Sequence, residues 1–456
     1  MKEAFKQLII DFHKGQLPKP SYRTLNLPKL PDSIRKANVF IGMRRSGKTW
    51  ALYQQMQTLL EQGIKIEQIL YLNFEDDRLP KITGSDLQKI LDAYFELYPQ
   101  YIDQSNIHFF FDEIQEIDSW EKFIRRLLDT EKMAIYITGS SAKMLSKEIA
   151  SSLRGRTVVR EIFPFSFTEY LQYLNVGFNS NVALATKEQQ IIKHHLQNFL
   201  QRGGFPEITA LYSQSTFPVK FPIRFVNAST LSIEFRELLQ SYINSVVQRD
   251  IIDRHQLKNS VLVRELCTMC LKNSAKLFSV NKSYNDLKSQ GRKVGKKSLY
   301  DLMNYFEDAY CIFNVPAYNF SARKTANTEK KIYPVDQGLI TAYTIKEEYE
   351  ASTRLETAVF SHLRRHHQEI YYYKTDRGKE VDFLIMDEKG NPVLYQVALH
   401  LDGPETLTRE ITALEEAMTK FKLKTGTIVT LDDERKIEVS SGKIQCMPIW
   451  KLFLQK

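Results

Sequence analysis

The chain has 456 residues, 43% hydrophobic and 26% charged, and its 63 lysines and arginines against 54 aspartates and glutamates give a net charge of +9. That length exceeds what one core can serve and implies about three or four domains, and with no low-complexity tract the composition excludes a disordered or fibrous chain. No apolar run approaches the roughly 20 residues that cross a bilayer, the charged start is unlike a signal peptide, and four cysteines without a paired framework fit a reducing compartment, so a cytoplasmic location with no membrane contact is expected.

Residues 1–36 read as an N-terminal segment without a motif. From 37 to 165 apolar runs alternate with helical patterns. Strands are predicted over 38–41, 68–74, 107–111, 134–138 and 157–162, and helices over 48–62, 85–97, 119–130 and 142–151. This alternation predicts a parallel sheet covered on both faces, with ligands at the carboxyl ends of its strands.

The first strand runs into Gly42-Met43-Arg44-Arg45-Ser46-Gly47-Lys48-Thr49-Trp50, a G-x-x-x-x-G-K-T loop that opens a helix. Loop amides and the helix N-terminus make an anion cradle. Gly42 through Trp50 are the expected nucleotide-binding residues, Lys48 reaching the β- and γ-phosphates and the Thr49 hydroxyl holding Mg²⁺. Another strand ends in Phe111-Asp112-Glu113. Asp112 is expected in the Mg²⁺ shell, and Glu113 is expected to polarise a water for in-line attack. No N-K-x-D guanine signature follows, so the expected nucleotide is ATP. The strand ending Thr138-Gly139-Ser140-Ser141 can sense the γ-phosphate, Ser140 being favoured over Ser141. Arg154 or Arg156, in Leu153-Arg154-Gly155-Arg156, can reach the nucleotide of a neighbouring subunit, which makes a homo-oligomer the expected assembly. The two arginines are not separable, and each can instead be a surface residue paired with Glu148 or Glu161.

These motifs, with Tyr71-Leu72-Asn73-Phe74-Glu75-Asp76 and Gly203-Gly204-Phe205-Pro206-Glu207 in the same order, resemble a large prokaryotic family of AAA+ ATPases that carries a C-terminal nuclease-like domain of unknown function. The resemblance runs along nearly the whole chain, and Met43 stands where the family often has proline. It implies an α/β P-loop NTPase core with a helical lid over 166–256. Helical periodicity at 188–201 and 231–252, broken at Gly203-Gly204-Phe205-Pro206, fits that lid.

Residues 257–340 read as three helices and a short hairpin, with strands near 309–316 and 331–335 flanking a polar wing. The order resembles a winged helix whose reading helix begins at Lys296. Lys282, Lys288, Arg292, Lys293, Lys296 and Lys297 stand against one acid, Asp286, a pattern suited to the phosphates of double-stranded DNA, to a solvated face or to a protein contact. Residues 341–456 resemble the restriction-endonuclease-like α/β fold, in which carboxylates hold Mg²⁺ and a lysine serves the reaction. Glu356, Asp382 and Gln396 fall at the matching positions, but Ala398 stands where the lysine belongs. The expectation is a degenerate metal site in a binding or assembly module, with Lys379 or Lys374 as substitutes that nothing in the sequence demands. Cys267 and Cys270, spaced C-x-x-C, read as core residues of a helix, and His194-His195 and His366-His367 as solvated.

The leading expectation is therefore an ATPase that couples nucleotide state to assembly and to a DNA or protein partner. The alternatives are an ATP-gated signalling or defence scaffold with slow turnover, and an ATP-dependent metal nuclease.

Overall fold

The computed structural model describes all residues except 26, 28–33, 141–152, 154, 179–183, 216–232, 322–324, 326–328, 345–346 and 456. The expected helix at 142–151 and Arg154 lie outside the described residues. The chain divides into two compact units, Met1–Phe163 and Pro164–Lys456.

In the first unit the elements run α1 (Lys2–Lys14), β1 (Ala37–Gly42), α2 (Lys48–Glu61), β2 (Ile69–Asn73), α3 (Gln88–Leu97), β3 (His108–Asp112), α4 (Trp120–Thr130), β4 (Ala134–Ser140) and β5 (Thr157–Glu161). The strands make one sheet in the order β2-β3-β4-β1-β5, and every pairing is parallel. Phe109, Phe110 and Phe111 are fully buried in β3, because a sheet covered on both faces takes apolar side chains at successive positions. Each such ring contributes roughly 2–3 kcal/mol of transfer free energy. The N-terminal segment is part of this body. Helix α1 buries Phe5, Leu8 and Ile9 and packs on α3 and β2, and the His13 ring bonds the Tyr98 hydroxyl at 2.7 Å and the Ile69 carbonyl at 2.8 Å.

The second unit begins with α5 (Phe167–Tyr173), α6 (Thr186–Arg202), α7 (Pro206–Ser215) and α8 (Ile233–Ser245), the last continuing as a π-helix over Val246–Asp253. Next come α9 (Ser260–Lys272), β6 (Leu277–Phe278), α10 (Val280–Ser289), α11 (Lys296–Asp308), β7 (Ile312–Pro316) and β8 (Lys330–Pro334). The three strands form an antiparallel sheet in the order β6-β8-β7. The remainder is α12 (Gly338–Tyr343), α13 (Glu347–Arg364), β9 (Tyr371–Lys374), β10 (Glu380–Met386), β11 (Pro392–Val397), α14 (Pro404–Phe421), β12 (Thr425–Thr430), β13 (Arg435–Val439), β14 (Gly442–Pro448) and α15 (Ile449–Leu454). Its six strands are ordered β13-β14-β12-β11-β10-β9. The pairings β11·β12 and β12·β14 are parallel and the others antiparallel.

Specific bonds tie the parts of this unit together. Gly203, at φ +81, passes so close to Asp336 that a Cβ there would lie 1.7 Å from its Oδ1. The closeness lets the Gly204 amide donate to Asp336 Oδ2 at 2.8 Å, while the Gly338 amide donates to Oδ1 at 2.9 Å. Both ends of the segment between β7 and β8 are tied to Tyr372 of β9. Ala317 bridges to Tyr372, the Tyr318 amide donates to the Tyr372 carbonyl at 2.7 Å, and the Tyr372 hydroxyl donates to the Glu329 carbonyl at 2.9 Å. Cys267 and Cys270 are buried in α9, with Cys267 Sγ 3.8 Å from Cys311 Sγ. His194 and His195 are half-buried instead of solvated, and burial, with His194 alongside, pushes His195 down to about 4.

Candidate functional site

The carboxyl ends of β1, β3 and β4 meet at one edge of the first sheet, where register places Gly42 opposite Ser140. Gly42 has φ +153, and a Cβ there would lie 2.2 Å from the Ile162 carbonyl oxygen. Only glycine fits such a turn. Arg45 and Gly47 also take positive φ, at 67° and 98°, so the loop winds tightly before α2 begins at Lys48. Lys48 is 5% exposed, and its Nζ donates back across the loop to the carbonyls of Gly42 at 3.2 Å and Met43 at 3.4 Å. Trp50 is 46% exposed and meets the Tyr53 ring edge-on at 5.7 Å.

Two contacts brace the loop from outside the motif. Arg44 pairs with Glu75 at 3.2 Å, which ties the loop to the turn after β2. Arg23, buried, donates to the Ser46 carbonyl at 2.7 Å and to the Phe163 carbonyl at 2.5 Å. No local sequence pattern pointed to Arg23.

Asp112 and Glu113 lie beside this loop at the end of β3, Glu113 Oε1 being 3.9 Å from Lys48 Nζ. The Asp112 carboxylate accepts from the Thr138 hydroxyl, from the Tyr71 hydroxyl at 3.1 Å and from the Thr49 hydroxyl. Burial raises its pKa, and these hydrogen bonds work against the rise. A buried carboxylate ringed by these donors is suited to a cation, whose charge would offset the cost of burial. Glu113 sits at φ +51. Its amide donates to Thr138 Oγ1 at 3.0 Å, and Gln115 donates to its carboxylate. Thr138 therefore holds both acids, a role the sequence reading did not assign. Its position was open to inference from strand register, since Phe111 pairs with Ile137. Arg156 lies against Asp129, NH2 to Oδ1 at 2.9 Å.

A second constellation lies in the C-terminal sheets. Glu356 on α13 and Asp382 on β10 do converge, but on an ammonium group. Lys331 of β8, 3% exposed, reaches Glu356 Oε1 at 3.0 Å, Glu380 Oε1 at 2.7 Å and Asp382 Oδ1 at 2.9 Å. The Tyr333 hydroxyl donates to Glu356 Oε1 at 2.7 Å, and the Val397 amide to Asp382 Oδ2 at 2.8 Å. Gln396 turns elsewhere: its amide nitrogen donates to Glu410 at 2.6 Å, and its oxygen accepts from the Asp382 amide at 3.3 Å. Lys379 pairs with Glu416 at 3.7 Å. Among the described residues no group of three or more His, Cys, Asp and Glu side chains is placed to hold a metal ion.

The six basic residues at 282–297 are all exposed. They occupy α10, α11 and the turn between them. Arg292 pairs with Glu265 at 2.6 Å, and Lys288 lies 5.8 Å from the Tyr284 ring centroid.

Over its whole length the chain is similar to an uncharacterized protein of Methanocaldococcus jannaschii, MJ1544: 33% identity over 460 residues, covering 99% of this chain and 95% of that protein. The chain belongs to the same family as MJ1544. An uncharacterized protein of Haemophilus influenzae is 29% identical over 365 residues, covering 80% of this chain and 82% of its own. Residues 34–171 match the family described as AAA domain, 221–349 a domain of unknown function (DUF8612) and 353–452 another (DUF4143). With the parallel sheet above, residues 34–171 are a P-loop α/β domain of the AAA+ type. Among solved structures, AMPPCP-bound DnaA from Aquifex aeolicus aligns at a TM-score of 0.30 and 12% identity over 61% of this chain and 83% of its own. The Aeropyrum pernix Orc1 protein in complex with DNA aligns at 0.29 and 13% over 77% and 91%. At these scores neither bears on function. Among the described residues no helix is long and apolar enough to cross a membrane.

Proposed function

We propose that this member of the family binds and hydrolyses ATP with Mg²⁺. The observation that carries the reading is the meeting of Lys48, Thr49, Asp112 and Glu113 at one sheet edge, with Lys48 Nζ 3.9 Å from Glu113 Oε1 and Thr49 bonded to Asp112. Lys48 and the amides from Gly42 to Trp50 would hold the phosphates, and Thr49 with Asp112 would hold Mg²⁺. The bound ion would neutralise charge on the β- and γ-phosphate oxygens. Glu113, steadied by Gln115 and by its own amide on Thr138, takes a proton from the attacking water as ADP leaves. Ser140, at the loop's edge, would sense the γ-phosphate. Arg154 or Arg156 would act in trans in a homo-oligomer, Arg156 only after leaving Asp129.

Glu113→Gln keeps ATP affinity and loses steady-state turnover by about 10²–10⁴-fold, the range for a missing general base. Wild-type turnover in that variant removes Glu113 from its role. Wild-type protein that takes up no ATP with Mg²⁺ present ends the whole reading.

The C-terminal half is proposed to meet double-stranded DNA through Lys282, Lys288, Arg292, Lys293, Lys296 and Lys297. What supports this is their shared exposure on α10, α11 and the intervening turn, with the antiparallel sheet β6-β8-β7 behind them in winged-helix order. ATP state would then set assembly and partner binding, acting in the cytoplasm.

A further inference from the structure

Position 398 lacks the lysine that a restriction-endonuclease-like strand would carry, yet the carboxylates nearby are not without a cation. Lys331 supplies it from a different sheet, 51 residues before Asp382 in sequence. We infer that Lys331 is the resident cation of a carboxylate cradle, Glu356, Glu380 and Asp382, that would otherwise take a divalent metal, and that this internal ion fastens the three-stranded sheet to the six-stranded one. The inference is independent of the ATPase reading.

Three observations carry it. First, the ammonium has carboxylate oxygens at 2.7, 2.9 and 3.0 Å, and Ca²⁺ draws such oxygens to about 2.3–2.6 Å. With Lys331 removed, a contraction of a few tenths of an ångström and waters to complete a shell of about six to eight oxygens would admit the metal. Second, the cluster is largely enclosed. The side chains of Lys331, Glu356 and Asp382 are 4%, 14% and 10% exposed, with Tyr333 stacked on Phe360 at 4.5 Å as a wall, while that of Glu380 is 32% exposed. Third, three carboxylates face one ammonium, so the formal charge of the cradle stays negative. Ala398 packs in the apolar cluster with Val381 and Leu384, so a cation from that strand is not available.

The test uses the full chain without nucleotide, titrated with Tb³⁺ as a Ca²⁺ analogue whose emission Tyr333 sensitises. Lys331→Met should gain one Tb³⁺ site, displaceable by Ca²⁺, over the parent, and Lys331→Met/Asp382→Asn should lose it again. Ca²⁺ should also raise the melting temperature of Lys331→Met but not of the parent. Folded Lys331→Met that gains no site overturns the inference. If that variant does not fold, reductive methylation of the parent decides. Lys331 should stay unmodified while Lys296 and Lys297 react, and Asp382→Asn should expose it; reaction of Lys331 at the rate of those surface lysines overturns the inference. So does Mn²⁺-dependent plasmid nicking by the parent that Asp382→Asn abolishes, since the cradle would then be a working metal centre.

Discussion

Thr138 carries two jobs with one hydroxyl: it donates to Asp112 and accepts from the Glu113 amide. Thr138→Val keeps the volume but leaves that amide unpaired on a residue at φ +51. Loss of such outer support commonly costs about 10–100-fold, so kcat should fall by that much with ATP affinity nearly unchanged. A kcat equal to wild type would show that Asp112 and Glu113 are held without it. His108 makes a pH prediction. Burial pushes it down to about 4, and its Nδ1 has no hydrogen-bond partner. The folded state thus binds this proton less readily than the unfolded chain, whose histidine titrates near 6.5, and stability is lost as pH falls from about 6.5 to 4. Between pH 7 and 5 the wild type should lose about 1–2 kcal/mol more than His108→Phe in urea unfolding; parallel losses would reject the assignment. At this scale the sequence disclosed Lys48, Thr49, Asp112 and Glu113, because a loop and a strand end carry them in fixed spacing. Thr138, Arg23 and Lys331 stayed hidden, since each acts on a residue that only folding brings near.

Among elements, the five strands of the first unit were legible from their apolar runs, and the observed bounds shift by a residue or two at most of their ends. The helix expected over 231–252 is helical to Ser245 and then widens into a π-turn, a change of hydrogen-bond partner that apolar spacing does not encode. The strand expected from 309 begins at Ile312, because Tyr310 takes φ +55 in a turn. The break at Gly203-Gly204 was visible, but its reason was not: it lets α6 end against the carboxylate of Asp336. Gly203→Ala would add strain at φ +81 and drive a methyl into that carboxylate, so a loss of roughly 3 kcal/mol or more is expected in denaturant unfolding. Gly378 has φ +79 with nothing within 4 Å of a Cβ, and Gly378→Ala should cost only about 1–2 kcal/mol. Equal effects would mean that backbone strain alone, and not contact with Asp336, makes Gly203 necessary.

For the whole molecule, the sequence reading marked five segments, whereas contacts gather the chain into two units. The reason is sequence distance. The bond from Gly204 to Asp336 spans 132 residues and that from Lys331 to Asp382 spans 51, separations no local pattern reports. Net charge of +9 favours a polyanion in general, but exposure of the basic turn makes a sharper prediction. Replacing Lys296 and Lys297 by alanine should reduce the slope of log affinity for duplex DNA against log salt by about 2, close to one unit per lost phosphate contact. An unaltered slope would place the nucleic acid elsewhere or nowhere.

Of the three tryptophans, Trp120 and Trp450 are enclosed, and only Trp50 is open to water, two residues past Lys48. Acrylamide will therefore quench one indole ahead of the others, and that indole lies beside the phosphate loop. The chain carries its own optical gauge: filling the loop should blue-shift the emission and slow the quenching, with no dye attached.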